Sequence, residues 1–219
     1  MLSRRSGLLS SLGTFLMNKT ILLLLIAFSS SAFSQDDSGP FTILMGGQIG
    51  RFLVDGGGNF DKFYPDTKPS YTGLFGLGNG ATFVIAKYRI FSASGQSQLT
   101  NVTATGVADW KQRILCAGFR MGGGKTPLYF DATYVLNHAE ESISTLNPTV
   151  DILSATQKID AKGVAFALGL CPRLAGPLTI DLSVEYSFMI QSPLNSAGRQ
   201  IPNIGGWYYG GGFSFYFHN

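Results

Sequence analysis

Several segments of the sequence alternate between large apolar residues and small or polar ones. Six charged residues lie on the small and polar face of these segments: Lys87, Arg89, Arg120, Asp131, Asp181 and Glu185. Three cations and three carboxylates on one face can neutralise one another. Charges removed from water are tolerated only when they are paired. We therefore predict a structural network of salt bridges among them. The alternative is that the same side chains form a gate or a narrow ion path.

Catalytic chemistry is poorly supported. A hydrolase needs a serine nucleophile, a histidine base and an orienting carboxylate or amide. The two histidines are His138, whose nearest hydroxyl is Ser142, and His218 beside the C-terminus. The stretch Gly122–Thr126 resembles a phosphate loop but lacks the required spacing, so it is interpreted as a turn. We predict no catalytic, cofactor-binding or metal-binding residue, no cofactor and no enzymatic activity.

The two cysteines, Cys116 and Cys171, fall on the polar face of strands that have one strand between them. That arrangement separates them by roughly 10 Å. A disulfide tolerates Cα atoms only up to about 7 Å apart. We expect two free thiols.

The N-terminal segment has the organisation of a cleavable signal peptide. Lys19 precedes the apolar run Ile21–Phe28, and a box of small residues ends at Ser34. We predict cleavage before Gln35, with Met17 as the true start. Residues 1–34 are then leader and signal, and residues 35–219 form one barrel domain.

The formal charge of +3 comes from this segment, which contains Arg4, Arg5 and Lys19 and no acid. The remainder has 13 basic and 13 acidic residues. A nucleic-acid partner is not expected, because neutralising phosphates takes clustered Lys and Arg.

The chain is apolar without a spanning helix. It is 45% hydrophobic and 13% charged, with 28 glycines. Its longest strongly apolar run, Ile21–Phe28, is far shorter than the 18 or more residues that a spanning helix needs. The hydrophobic content must therefore lie elsewhere.

It lies on alternating strands. From Leu178 to Ile190 apolar and polar residues alternate for longer than in a usual soluble strand, as in a tilted membrane strand. Eight such segments are predicted, at 41–54, 71–78, 81–94, 109–122, 128–137, 163–171, 178–190 and 207–218.

The connections alternate in length. Short ones are predicted at 78–80, 122–127 and 173–177, and long ones at 55–70, 95–107, 143–160 and 191–205. Gly78-Asn79-Gly80 favours a type I′ turn with positive φ at both central positions. With eight strands, this alternation puts every long loop on one side and both termini on the other. The sequence predicts an all-β, eight-stranded antiparallel transmembrane β-barrel.

The two faces predict what surrounds the barrel. Small and polar residues suit a narrow lumen, and the unbroken apolar face suits lipid. Five aromatic residues share the lipid-facing parity near strand ends and are predicted to be interfacial: Tyr134, Tyr186, Trp207, Tyr209 and Phe217. In the first long loop, Phe60, Phe63 and Tyr64 either form a binding surface or anchor the loop on the barrel rim. A secreted lipocalin-like ligand-binding barrel is the alternative fold.

The chain resembles the small outer-membrane β-barrel proteins of Gram-negative bacteria, with the plan of the OmpA transmembrane domain and OmpX. More narrowly, it resembles the Bacteroidetes outer-membrane β-barrel domain, including PorT-like proteins. The signal ending Ser31–Ser34, the eight-strand plan and the aromatic strand Gly212–Phe217 carry this resemblance.

The resemblance implies a location in the bacterial outer membrane, contact with its lipid, and a last strand that the barrel assembly machinery reads. His218 and Asn219 follow the final Phe, where the family ends on an aromatic residue. The expected function is non-enzymatic: a structural or surface-interaction role, with a surface ligand or partner protein bound through the long external loops. The alternative is a narrow pore or an accessory component of an outer-membrane transport or secretion system.

Overall fold

The computed structural model describes residues 41–55, 60–98, 105–123, 126–145, 155–191 and 204–218. The predicted leader, signal peptide and cleavage site lie outside these residues. Within the described ranges, no helix has the length and hydrophobicity needed to cross a bilayer.

Within the described residues the chain forms eight long strands, two very short ones and one helical turn. In chain order they are β1 (Thr42–Val54), α1 (Phe60–Phe63), β2 (Asp66–Thr67), β3 (Ser70–Gly78), β4 (Thr82–Gln98), β5 (Thr105–Gly122), β6 (Leu128–Thr145), β7 (Ala155–Leu170), β8 (Arg173–Ala175), β9 (Leu178–Gln191) and β10 (Gly206–His218). The short strands β2 and β8 pair only with β4 and β9, respectively.

The eight long strands close into a barrel. Each pairs antiparallel with its neighbours in the order β1, β3, β4, β5, β6, β7, β9, β10, and β10 also pairs with β1. Closure leaves no sheet edge along the paired part of the wall. The predicted eight-stranded antiparallel barrel is confirmed.

The strand register fixes the tilt of the wall. A path through directly paired residues that leaves β9 at Phe188 and crosses every strand returns to β9 at Leu178, ten residues away. With about 3.3 Å per residue and about 4.8 Å between strands, this stagger corresponds to a tilt of roughly 40°. An eight-stranded barrel of this kind has an interior that its own side chains can fill.

Inward and outward side chains alternate along each long strand. The outward face carries an exposed large apolar side chain on every one of the eight: Met45, Phe75, Val84, Leu115, Leu136, Phe166, Val184 and Phe215. We call this surface the apolar belt. The inward positions are mostly buried, and the buried charged side chains of the strands all lie there.

Four strands are longer than the sequence predicts. The loops expected at 95–107 and 143–160 are shorter, because β4 continues to Gln98, β5 begins at Thr105, β6 continues to Thr145 and β7 begins at Ala155. Backbone pairing needs no hydrophobic pattern. Beyond the apolar belt the outward face turns polar, so the large apolar outward residues that reveal a membrane strand disappear while the ladder continues. We call this end of the barrel the loop side and the opposite end, where β1 begins and β10 ends, the turn side.

The connection between β3 and β4 also differs from the predicted two-residue turn. Three residues, 79–81, join the strands, and Gly80 has a φ of +83°. Asn79 Oδ1 accepts hydrogen bonds from the backbone nitrogens of Ala81, at 3.2 Å, and Thr82, at 3.0 Å. The asparagine side chain therefore supplies part of the bonding that a type I′ backbone would have provided.

Glycines at inward positions allow neighbouring strands to approach closely, and the stability of alanine variants measures how much this matters. A Cβ added at Gly118 would lie 2.1 Å from the Ala132 carbonyl oxygen, whereas one added at the outward Gly73 would meet nothing within 4 Å. We expect Gly118→Ala to lower the free energy of unfolding by about 1–3 kcal/mol, since backbone must shift. Gly73→Ala is the control, and urea titration in lipid vesicles is the measurement. Equal stabilities for the two variants would contradict this account.

Candidate functional site in the barrel lumen

The structure brings all six charged residues singled out from the sequence into the lumen. Lys87 and Arg89 come from β4, Arg120 from β5, Asp131 from β6, and Asp181 and Glu185 from β9. Every one is buried. They form one continuous chain of contacts, which we call the charge network.

One half of the charge network centres on Glu185. Its Oε1 accepts from Arg89 Nη1 at 2.8 Å, and its Oε2 accepts from Lys87 Nζ at 2.7 Å. Lys87 Nζ also lies 2.7 Å from Asp131 Oδ2. The Glu185 carboxylate thus neutralises two cations, and one of them, Lys87, links it to the half of the network that contains Asp131.

The other half centres on Arg120. Its Nε and Nη2 donate to the two oxygens of Asp131 at 2.8 and 3.0 Å, the bidentate geometry that suits a guanidinium. Its Nη1 lies 3.6 Å from Asp181 Oδ2. The contacts therefore run from Arg89 to Asp181 with alternating sign, and the equal numbers of cations and carboxylates balance.

Two tyrosines cover the guanidinium groups. The Cζ of Arg89 lies 3.6 Å from the ring centroid of Tyr208, and that of Arg120 lies 3.5 Å from the ring centroid of Tyr129. Tyr129 Oη also donates to Asp181 at 2.5 Å. Sequence reasoning placed both tyrosines on the inward face but gave them no role, because parity shows the direction of a side chain and not its partner across the lumen.

Asp181 has further partners that sequence analysis did not assign. Gln48 Nε2 donates to its Oδ1 at 2.8 Å, and Ser214 Oγ donates to its Oδ2 at 2.7 Å. These residues come from β1 and β10, so the carboxylate of β9 is held by both strands that pair where the barrel closes. A buried carboxylate surrounded by donors is the arrangement that compensates for desolvation.

The charge network lies between two apolar groups of buried side chains. Strand β4 shows the order: Phe83 and then Lys87 follow from the turn side, and Phe91 lies further toward the loop side. The turn-side group comprises Leu44, Leu74, Phe83, Ile85 and Tyr216. The loop-side group is larger and includes Phe52, Phe60, Tyr64, Phe91, Trp110, Ile159, Ile204 and Tyr208.

The first long loop enters the lumen from the loop side. Phe60 at the start of α1 and Tyr64 just after it are both buried, with ring centroids 5.3 and 5.7 Å from that of Trp110. Tyr64 Oη donates to the buried carboxylate of Glu141. The side chain of Phe63 lies outside the described residues. For Phe60 and Tyr64 the contacts are those of attachment to the barrel, and they lie inside the mouth and not on its rim.

Glu141 is a seventh lumen charge that sequence analysis missed, because its strand was predicted to have ended before it.

The hydrogen bond from Tyr64 to Glu141 can be tested by mutation. We expect Tyr64→Phe to lower the free energy of unfolding by about 1.5–3 kcal/mol, the range for a hydrogen bond to a charged group. It should also increase cleavage of the first loop in limited proteolysis. Tyr71→Phe, at an exposed outward tyrosine, is the control. Unchanged stability and proteolysis would show that the loop is held by other contacts.

Four of the five predicted interfacial aromatic residues form two groups, and the fifth, Tyr134, differs from the prediction. Tyr186, Trp207 and Tyr209 form an outward cluster toward the loop side, with centroid distances of 4.8 and 6.2 Å along the series. Phe217 stacks with Phe215 near the turn side. Tyr134 faces outward but lies further from a strand end than predicted, since β6 continues to Thr145.

The catalytic candidates do not form a catalytic arrangement. His138 Nδ1 lies 2.6 Å from Asp160 Oδ1 on the outward face, where both are accessible to solvent. Ser142 is four residues along the same strand, which corresponds to roughly 13 Å. The side chain of His218 lies outside the described residues. Over the described ranges, no group of three or more His, Cys, Asp or Glu residues could hold a metal ion.

Both cysteines are free and buried, as expected from the sequence. Cys116 lies on β5, and Cys171 directly follows β7, where its Sγ donates to the Gly123 carbonyl at 3.2 Å. They fill space within the barrel.

Comparison with known proteins identifies the fold. No protein-family model and no curated protein sequence matches the chain. Among solved structures, the outer-membrane protein OprG of Pseudomonas aeruginosa is 17% identical, with a TM-score of 0.51 over 83% of this chain and 97% of that one. Ail, the attachment invasion locus protein of Yersinia pestis, solved with the heparin analogue sucrose octasulfate, is also 17% identical, with a TM-score of 0.49 over 81% and 99%. The chain thus has the fold of small bacterial outer-membrane β-barrels.

Proposed function

We propose that the protein is an integral outer-membrane barrel with no catalytic role. It would hold a filled lumen in lipid and present its loop side for structural or surface interactions. The observation that carries this proposal is the combination of an apolar belt on all eight long strands with buried side chains across the lumen.

The apolar belt supports the membrane location. Exposed Phe, Leu, Ile, Val and Met side chains encircle the barrel, and soluble monomers rarely expose apolar patches larger than a few hundred Å². A closed ring of paired strands also satisfies the backbone in hydrocarbon, where water cannot. A lipocalin-like barrel would need polar residues on this outward face, so the belt argues against that alternative.

The filled lumen supports a structural role over a pore. The turn-side group, the charge network and the loop-side group succeed one another along the axis, and all their members are buried. The second candidate, a narrow pore or a transport accessory, rests on the same charged residues, because a change in their pairing could open an ion path. The two candidates differ in conductance.

The decisive experiment is refolding into lipid vesicles followed by a gel-shift assay and planar-bilayer recording. We expect heat-dependent migration on the gel, as a stable barrel gives, and no stable single-channel openings. Stable openings would favour the pore, and recovery of the protein from the soluble periplasmic fraction of cells would overturn the membrane location.

Export and assembly are part of the proposal. Residues 1–34 would direct export and be removed before Gln35, and β10 would be read by the barrel assembly machinery. The support is the alternation of β10, where Phe213, Phe215 and Phe217 all face outward. The closer relationship to PorT-like proteins of the Bacteroidetes stays a prediction from sequence.

A further inference from the structure

The outward face of β5, β6 and β7 changes character toward the loop side. Nearer the turn side this face is apolar, with Leu115 and Leu136 exposed. Nearer the loop side it carries four exposed basic side chains, Lys111, Arg113, Lys158 and Lys162. We call these four residues the basic rim.

The strand register groups the basic rim closely. Lys111 and Lys158 both pair with Glu140, one from each side, and Arg113 pairs with His138. Lys162 pairs with Leu136, two residues nearer the turn side on β6 than His138. Directly paired residues have Cβ atoms about 5 Å apart. Arg113 and Lys162 therefore lie roughly 12 Å apart, and the four cations together span roughly 16 Å.

Three carboxylates share this face with the four cations. Glu140 lies between Lys111 and Lys158, Asp160 lies between Lys158 and Lys162 along β7, and Asp109 is two residues from Lys111 on β5. The cations thus outnumber the carboxylates. In the part of the chain that the structure describes, the salt bridges use the charge network and His138, and none uses a member of the basic rim. The patch is therefore positive and open to an external anion.

The position of the basic rim relative to the apolar belt indicates which kind of anion it binds. Arg113 is two residues from Leu115 along β5, and Lys162 pairs with Leu136, so these cations border the apolar belt directly. That border is where lipid head groups meet hydrocarbon. Long basic side chains lay their stems along apolar surface there and keep their charge at the polar level. The ends of β5, β6 and β7 extend beyond this level toward the loop side, so a soluble glycan would meet them first.

We propose that the basic rim binds the phosphate groups of an anionic lipid head group in the leaflet on the loop side. This inference rests on the membrane location proposed above. It gives the barrel a preferred lipid neighbour along the β5–β7 wall, while the rest of the apolar belt contacts acyl chains without selection.

The test uses the refolded protein in neutral detergent and native mass spectrometry, with diphosphorylated lipid A as the probe. Each basic residue near an anionic surface contributes about 1 kcal/mol, so we expect the double variant R113Q/K162Q to bind lipid A roughly 25-fold more weakly. The control is R51Q, which removes an exposed outward cation on β1, on the opposite wall. It should bind like the wild type.

Dephosphorylated lipid A should bind the wild type no better than the double variant binds the intact lipid. Equal lipid A binding by R113Q/K162Q and the wild type would overturn the inference, and so would tight binding of the dephosphorylated probe. A soluble sulfated oligosaccharide that bound in place of lipid A would assign the rim to a glycan instead. Heat-dependent gel shifts in phosphatidylcholine vesicles test the membrane location separately, because that lipid has no net charge.

Discussion

Replacing Glu185 with alanine is expected to lower the free energy of unfolding by about 3–5 kcal/mol, the cost of removing one partner from a buried ion pair. Glu185 contacts both Lys87, at 2.7 Å, and Arg89, at 2.8 Å. Its loss leaves Arg89 without its carboxylate and Lys87 with Asp131 alone. Urea titration of the barrel in vesicles, followed by the gel shift, measures the change.

Two further variants make this result interpretable. Glu140→Ala removes a carboxylate from the outward face and should change stability by less than about 0.5 kcal/mol. Glu185→Gln keeps the hydrogen-bonding shape without the charge and should fall between the wild type and alanine. A stability of Glu185→Ala equal to that of the wild type would show that the charge network does not hold the barrel together.

Conductance of the same variant separates the two interpretations of the network. The apolar groups on either side of it do not depend on Glu185, so Glu185→Ala should stay closed in planar bilayers. A marked rise in conductance would mean that the ion pairs themselves form the barrier, and the charge network would then be a gate.

Replacing Val184 with arginine is expected to cost about 2–4 kcal/mol in a bilayer, because the new charge would sit in hydrocarbon near the middle of the membrane. Val184 is halfway along β9 on the apolar belt and is 42% exposed. The exposure matters here, since a side chain that meets the surroundings loses less protein packing on replacement than a buried one.

The control is Ser142→Arg, an exposed outward position toward the loop side of β6, where the cost should be about 0–1 kcal/mol. Both variants are compared with the wild type by urea titration in phosphatidylcholine vesicles. A small and equal cost at both positions would show that Val184 does not face hydrocarbon, and the membrane assignment would fail with it.

Strand periodicity explains how much of the candidate site could be predicted. Alternation from Leu178 to Ile190 assigned Asp181 and Glu185 to the inward face, and the same reasoning assigned Lys87 and Arg89. Their burial follows, because a closed ring of strands has only one inside. Glu141 was missed, since the segment beyond Asn137 loses its apolar residues and with them the signal.

Contacts across the lumen could not be predicted in the same way. Lys87 reaches Asp131, two strands away, and Gln48 reaches Asp181 across the closure of the barrel. Such pairs depend on the stagger of the strands around the barrel, which places residues distant in sequence at the same level along the barrel axis. The local sequence of either segment does not encode that level.

The sequence by itself determined the class of fold, the direction of the side chains within the predicted strand segments and the apolar character of the outer face, because all three follow from a repeat of two residues. The tertiary structure alone decided the pairing within the charge network, the insertion of Phe60 and Tyr64 into the mouth, and the clustering of the basic rim. The physical reason is that a strand fixes only which way its side chains point. Their partners are fixed by the ten-residue stagger with which the eight strands close.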